Sequence, residues 1–196
     1  IVNDGVVVGR GWTQPSGRPH AEAMALAQAG EKSRGATCYV TLEPCALPGR
    51  GPACADSLVA AGVARVVVAA GDPFPAVDGA GFAKLRDAGI ALSPGVRTDE
   101  AKRSMAGFLN RQRRGRPHVT LKLATSLDGR IARADGESRW ITGAEARAHA
   151  HLERARHEAI LVGRGTYEAD APSLDVRLAG LEGRSPRRIL LSASHP

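Results

Sequence analysis

PCALPGRGPAC, residues 44–54, sets Cys45 and Cys54 at the two ends of a loop made largely of proline, glycine and alanine. Such a pair can clasp a metal, close a disulfide or sit as two unrelated buried thiols. The flanks decide the local fold. Upstream, Thr37–Leu42 is rich in β-formers, and downstream Pro52–Ala61 is alanine-rich and stops at Gly62. One cysteine therefore follows a strand and the other opens a helix. Only one further cysteine occurs, Cys38. A secreted disulfide scaffold carries more, in even number. A reducing, cytoplasmic setting is expected, in which a cysteine pair serves a metal or catalysis.

The same alternation continues on either side. His20–Ala29 has helical composition and ends at Gly30. Ala64–Ala70 contains Val66-Val67-Val68, a continuous apolar run suited to a strand covered on both faces. Gly81–Ala88 reads as a short helix, Ile90–Leu92 as a weak strand and Thr98–Arg111 as a helix capped by Thr98. Strand–helix alternation of this kind implies an α/β layered domain. The opening IVNDGVVVGRGW reads as a hairpin around Asn3-Asp4-Gly5. Only Ile1 and Val2 precede that turn, too little for a useful strand, so upstream chain is expected. At the other end, Arg188–Ser192 reads as a buried strand with nothing after it. The sequence thus reads as a fragment.

Gly115 and Pro117, beside the cluster Arg111-Gln112-Arg113-Arg114-Gly115-Arg116, mark a linker. A domain over 1–115 and a second over 116–196 are expected, the first lacking its beginning and the second its end. In the second, HVTLKLATSLDGRIA (118–132) reads as strand, Asp128-Gly129 turn and strand. Ile141–Arg156 reads as mostly helix with Thr142 as its cap, and Ala159–Val162 as a buried strand.

The net charge is +7 among 196 residues. Four arginines sit in the linker cluster, with no interleaved aromatics to stack bases, so no nucleic-acid partner is expected. A solvated helix end accounts for the cluster, and a small phosphorylated substrate suits the modest positive excess. No apolar run approaches the roughly 20 residues of a membrane span, and no membrane partner is expected.

Three features lie close together in sequence: His20-Ala21-Glu22 at a helix start, Pro44-Cys45 after a strand, and Cys54 at the next helix start. His20, Cys45 and Cys54 supply three of the four ligands of a tetrahedral Zn²⁺, which leaves a position for water. That is the ligand count of a catalytic centre. Two thiolates balance the metal charge, and a nearby helix N-terminus favours the thiolate form. Glu22 need not bind the metal. It can take a proton from the water and deliver it to a ring nitrogen and then to departing ammonia, the logic of zinc-dependent nucleobase deamination. Each element alone is weak, since a His-x-Glu arises by chance and a lone cysteine is usually a small buried hydrophobe, the reading given to Cys38. The joint pattern is specific.

The spacing and its surroundings carry a resemblance. PHAEAMAL, YVTLEPC and GRGPACADSLVAAGVARVVVAAGDPFPAVDGAGFAKLRDAGI closely resemble the deaminase half of the bifunctional riboflavin-biosynthesis enzymes. These join a diaminohydroxyphosphoribosylaminopyrimidine deaminase to a 5-amino-6-(5-phosphoribosylamino)uracil reductase. The resemblance implies a cytidine-deaminase-like three-layer domain followed by an incomplete dihydrofolate-reductase-like α/β domain. It also implies hydrolytic deamination of a phosphorylated pyrimidine, then NADPH-dependent reduction of its ribosyl group to ribityl, and a homo-oligomer. The chain departs from the family in two loops. Ala46-Leu47-Pro48 replace a stretch that carries a histidine, and Phe74 replaces a polar residue in the loop Asp72–Pro75.

In the second half, AILVGRGTYEADAPSLDVR (159–177) runs from a strand into a Gly-x-Gly turn and a short helix. Such a turn lets backbone amides approach phosphate, although it is not a full dinucleotide fingerprint. The resemblance assigns NADP contacts to Ala124, Trp140, Thr166, Asp170 and Ser192. It assigns the phosphoribosyl substrate to Ser138, Arg154, Leu174 and Arg177. Arginine suits phosphate because its planar fork donates two hydrogen bonds. The family's Asp-Asp-Pro-x-Leu-Thr-Val-Arg stands here as Asp170–Arg177, with Ala171 and Asp175 as departures. Three other readings use the same residues: a nucleoside or tRNA deaminase, a reductase beside an inactive deaminase domain, and a non-catalytic zinc-stabilised module.

Overall fold

The computed structural model describes residues 1–49, 51–74 and 77–194. Arg50 of the cysteine loop and Pro75 of the Asp72–Pro75 loop lie outside the described residues. The chain forms two compact units, Ile1–Val119 and Thr120–Pro196, and each is treated by itself.

The first unit is built on a five-stranded sheet in the order β2-β1-β3-β4-β5. Its strands are β1 (Val2–Asn3), β2 (Val6–Val7), β3 (Thr37–Leu42), β4 (Arg65–Ala70) and β5 (Ala91–Pro94). The last three run parallel, and the β1–β2 hairpin adds antiparallel to β3. The hairpin turn falls where the sequence puts it. Asp4 and Gly5 both adopt positive φ, +48° and +75°, as a tight two-residue hairpin loop requires. The two-residue β1 nonetheless pairs on both sides, with β2 and through Val2 with Thr37 of β3. The amino group of Ile1 also donates to Gly9 O at 2.8 Å. A strand that short is useful here because its neighbours supply the ladder.

The parallel strands are joined through α2 (Cys54–Ala60) and α3 (Ala80–Asp87), and α1 (Ala21–Ala29) precedes β3. Val66, Val67 and Val68 of β4 are all buried, so the continuous apolar run is covered on both faces. The core gathers Ile1, Ala25, Cys38, Leu58, Val66 and Leu85 among others, from sheet and helices alike. One expected helix divides in two: α4 (Thr98–Ser104) and α5 (Ala106–Arg114), broken at Met105 with φ −104° and ψ 16°. Thr98 is not the cap. Arg97 holds that position in the left-handed region, and the Thr98 hydroxyl donates across to Ala69 O at 2.7 Å. A tertiary acceptor at the end of β4 outcompetes local capping.

The second unit contains α6 (Ala144–Arg156), β6 (Ala159–Gly163), α7 (Arg164–Asp170) and β7 (Arg187–Leu191), with β6 and β7 paired in parallel. Gly143 rather than Thr142 caps α6, and the Thr142 carbonyl instead accepts from Arg147 Nη1. The expected strands in 118–132 do not form. Val119, Leu121 and Leu123 alternate as a strand would but stand 79, 79 and 65% exposed. Alternation alone makes no strand, because the ladder needs a neighbour to take its hydrogen bonds. Among the described residues none does so. The turn at Asp128-Gly129 is present, with Gly129 N–H donating to Ser126 O at 2.9 Å.

Candidate active site

The three expected ligands converge. Ligand atoms of His20, Cys45 and Cys54 all lie within 4.8 Å of one another, and His20 Nδ1 lies 3.4 Å from Cys54 Sγ. Local structure explains the meeting. His20 is the residue before α1, in extended conformation, so its ring stands ahead of the helix. Cys45 follows β3. Cys54 is the first residue of α2, where a backbone N–H has no partner within the helix. That N–H donates to Cys45 Sγ at 3.2 Å, and Ala55 N–H donates to Cys45 O at 3.1 Å. The start of α2 therefore holds the Cys45 turn at both its sulfur and its carbonyl.

Electrostatics divide the thiols. The Cys45 thiol is pulled down to about 5, chiefly by the hydrogen bond from Cys54, with His20 assisting. Cys54 is pushed up, because that bond holds its proton and burial disfavours its thiolate. The disulfide alternative fails here, since all three cysteines are free. Glu22, in the first turn of α1, is buried beside the cluster. Burial raises its carboxyl above the usual range, and the Cys45 charge adds to the rise. Its own backbone N–H, His20 and a hydrogen bond from Cys54 oppose it. A carboxyl pushed upward in this way is suited to taking and returning a proton.

One histidine nitrogen and two sulfurs in a pocket with an acid group fit a tetrahedral soft-to-borderline divalent ion with one position left for a further ligand. Sequence reading missed two neighbours of this cluster. Arg18 Nη2 stands 4.0 Å from Cys45 Sγ, and its guanidinium passes close over Gly49, where a Cβ would lie 2.8 Å from Nη2. Glu43, directly before Pro44-Cys45, is buried at 3% exposure and surrounded by backbone donors. A carboxylate closing a core strand was the available signal. Of the substituted loop residues, Ala46 is buried, while Leu47 and Phe74 are about half exposed. A cleft of about 480 Å³ in this unit is lined by Asp72, Asp78, Thr98, Lys102 and Arg113 among others, and by none of the three expected ligands.

Two family models match the chain. The zinc-binding region of cytidine and deoxycytidylate deaminases covers residues 1–70 and the RibD C-terminal domain covers 117–196. The riboflavin biosynthesis protein RibD of Escherichia coli K12 is 53% identical over 182 residues, 93% of this chain and 50% of that protein. The chain is similar to RibD proteins along nearly its whole length. The RibD of Aquifex aeolicus is 47% identical over 97% of this chain and 53% of its own length. Among solved structures, a deaminase/reductase from Thermotoga maritima superposes with a TM-score of 0.88 at 41% identity. It matches 97% of this chain and 54% of its own. Acinetobacter baumannii RibD superposes with a TM-score of 0.84 at 45% identity, over all of this chain and 56% of its own. The chain spans about half the length of the RibD relatives it matches. The family likeness makes the first unit cytidine-deaminase-like and the second a dihydrofolate-reductase-like RibD C-terminal domain.

The residues that resemblance assigns to the second unit fall into groups. Thr166 and Asp170 lie on α7, which starts directly after β6. Gly163 at the end of β6 is in register with Leu191 of β7, so Ser192 follows at the same strand end. Nucleotides bind outside the carboxyl ends of parallel strands, and Thr166 and Ser192 meet that condition. Ser138 and Trp140 share a cleft of about 210 Å³, and the Arg147 guanidinium lies 4.5 Å over the Trp140 ring. Arg154, Leu174 and Arg177 meet around one turn: Arg154 Nη1 donates to Asp175 O at 2.9 Å, and Arg177 Nη1 donates to Ser173 Oγ at 2.7 Å and to the Asp175 carboxylate. Leu174 is buried with φ +53°. Ala124 lies half-buried in an irregular stretch.

Proposed function

We propose that this chain forms the zinc-dependent deaminase of riboflavin biosynthesis and the start of its NADPH-dependent reductase, divided at residues 115 and 116. The substrate read from the family is 2,5-diamino-6-(5-phosphoribosylamino)pyrimidin-4-one, whose deaminated product then has its ribosyl group reduced to ribityl. One observation carries the deaminase reading: three ligand atoms from two helix starts and one strand end meet beside a buried glutamate. His20, Cys45 and Cys54 would hold zinc, which supplies Lewis acidity and makes water a nucleophile near neutral pH. Glu22 is placed to take one proton from such a water and would pass it to the ring nitrogen; a second proton, from the hydroxyl added to the ring carbon, would then go to the amino group that leaves as ammonia. Arg18 stands at the same cluster as a fixed positive charge.

In the second unit, Ala124, Trp140, Thr166, Asp170 and Ser192 are proposed to contact NADP, and Ser138, Arg154, Leu174 and Arg177 the phosphoribosyl group. The carboxyl ends of β6 and β7 support Thr166 and Ser192 in the first set, and the Arg154–Arg177 turn supports Arg154, Leu174 and Arg177 in the second. NADPH supplies hydride, and the protein's part is to orient it. No helix among the described residues is long and apolar enough to cross a membrane. A cytoplasmic homo-oligomer acting on a small phosphorylated pyrimidine is the setting proposed.

The test follows ammonia release and NADPH loss separately on the diaminopyrimidine, with and without a zinc chelator. Zinc-dependent ammonia release is expected. Deamination of cytidine or tRNA without activity on the pyrimidine would replace this reading by the nucleoside or tRNA one. Zinc bound with no deamination of any substrate would leave a structural zinc module.

A further inference from the structure

We propose that Glu43 is a positioning residue that locks the Pro44-Cys45 turn to the segment following β4, and so sets how firmly the site grips its metal. The proposal rests on the metal reading above. The Glu43 carboxylate is almost completely buried and accepts four backbone N–H groups. Oε1 takes Gly81 at 2.9 Å and Phe82 at 3.2 Å; Oε2 takes Gly79 at 3.2 Å and, more loosely, Asp72 at 3.3 Å. Three of these donors belong to the cap and first turn of α3, where backbone N–H groups have no partner in the helix. Residue 79 is glycine and offers no side chain to satisfy them. Glu43 reaches in from another element and does so instead. Its own N–H donates to Ala70 O at 2.8 Å, tying its backbone to the end of β4.

A second observation places this hub against the metal turn. A Cβ on Gly81 would lie 2.0 Å from Pro44 O and 3.1 Å from Glu43 Oε1. Residue 81 is therefore pressed onto the Pro44-Cys45 peptide and the Glu43 side chain, with room for no side chain of its own. Between Glu43 and Cys45 stands one residue, a proline with restricted φ. A shift at Glu43 thus has little slack in which to dissipate before it reaches the Cys45 sulfur. From Cys45 the chain of contacts runs on to Cys54 N–H and α2. Partners behind the ligands govern metal affinity by orienting them. Here that role falls on a carboxylate two residues before a ligand, which acts on the peptide backbone and touches no metal.

The test measures zinc release from the loaded protein to a chromogenic chelator. Glu43→Gln keeps the shape but turns an amide NH₂ toward backbone donors, and is expected to speed release about 10- to 100-fold. Gly81→Ala, which leaves the carboxylate in place and pushes on Pro44 O, is expected to do the same, and it serves if Glu43→Gln does not fold. Leu85→Ala removes a fully buried side chain of α3 and controls for lost stability; it should lower the melting temperature while holding zinc as tightly as the parent. Glu43→Gln with lowered melting temperature and parental zinc release would reduce Glu43 to a structural cap and overturn the proposal, as would rapid release from Leu85→Ala alike. A parent chain that binds no zinc overturns this proposal and the metal reading together. A parent that holds zinc but releases no ammonia overturns only the deaminase reading, because zinc release is read independently.

Discussion

Glu22 and Cys38 face the same core from different roles, and each has a measurable signature. Glu22→Gln preserves size and hydrogen bonding but cannot accept the water proton. It is expected to lower ammonia release by about 10²- to 10⁴-fold while zinc content, read by metal analysis, stays at one ion per site. Cys38 lies on β3 in the core, where burial pushes its thiol up to about 11 from an ordinary value near 9. A folded-state value raised above the unfolded one contributes stability fully present below about 9. That contribution is lost as pH rises toward 11, because the unfolded chain ionises first. The melting temperature should fall across that window, and Cys38→Ala should flatten the fall whatever its effect at neutral pH. At this scale the sequence was informative where chemistry needs particular atoms: His20, Glu22, Cys45 and Cys54 were legible from type and spacing, and they meet. Glu43 was not, because a glutamate before Pro-Cys looks like a solvent-facing strand end until the donors around it are known. Arg18 was hidden for the same reason, since only the folded chain brings it to Cys45.

At the scale of elements, α1 carries Glu22 and directly follows His20, and its seat is set by two glycines upstream. A Cβ on Gly11 would lie 2.0 Å from Ala21 O and 2.7 Å from the Met24 Cβ, and one on Gly9 would lie 2.1 Å from Ala25 O. The segment after β2 thus runs directly against the helix backbone. Gly11→Ala is expected to cost about 1–3 kcal/mol by overpacking, seen in denaturant melts. Because the displaced element is α1, zinc affinity should weaken as well. The elements of the first unit were mostly legible, because period, glycine stops and the Val66–Val68 run agree with one another. The boundaries that moved did so for tertiary reasons: Thr98 left its expected cap position to bond Ala69 O, and Met105 split the following helix. The stretch 118–132 failed as a pair of strands because alternation specifies a face, whereas a ladder needs a neighbour, which local sequence does not provide.

For the whole molecule, two units imply two melting events. The expected ligands all belong to Ile1–Val119, so saturating zinc should raise one calorimetric transition by linkage and leave the other where it is. A single transition that moves as one with zinc would show that the units unfold together. From sequence, Gly115 and Pro117 mark only a linker, and the compact units divide between Val119 and Thr120. The family likeness of each half rests on motifs that local composition could not have named, since the Gly163-x-Gly165 turn alone is shared by many folds. The stacking of Arg147 over Trp140 has an optical consequence. The chain has two tryptophans, Trp12 in the first unit and Trp140 in the second, and both are largely exposed. Replacing Trp12 by phenylalanine leaves Trp140 as the single indole emitter. Its emission then follows events in the second unit, with Arg147 close enough for its departure from the ring to register as a change in intensity.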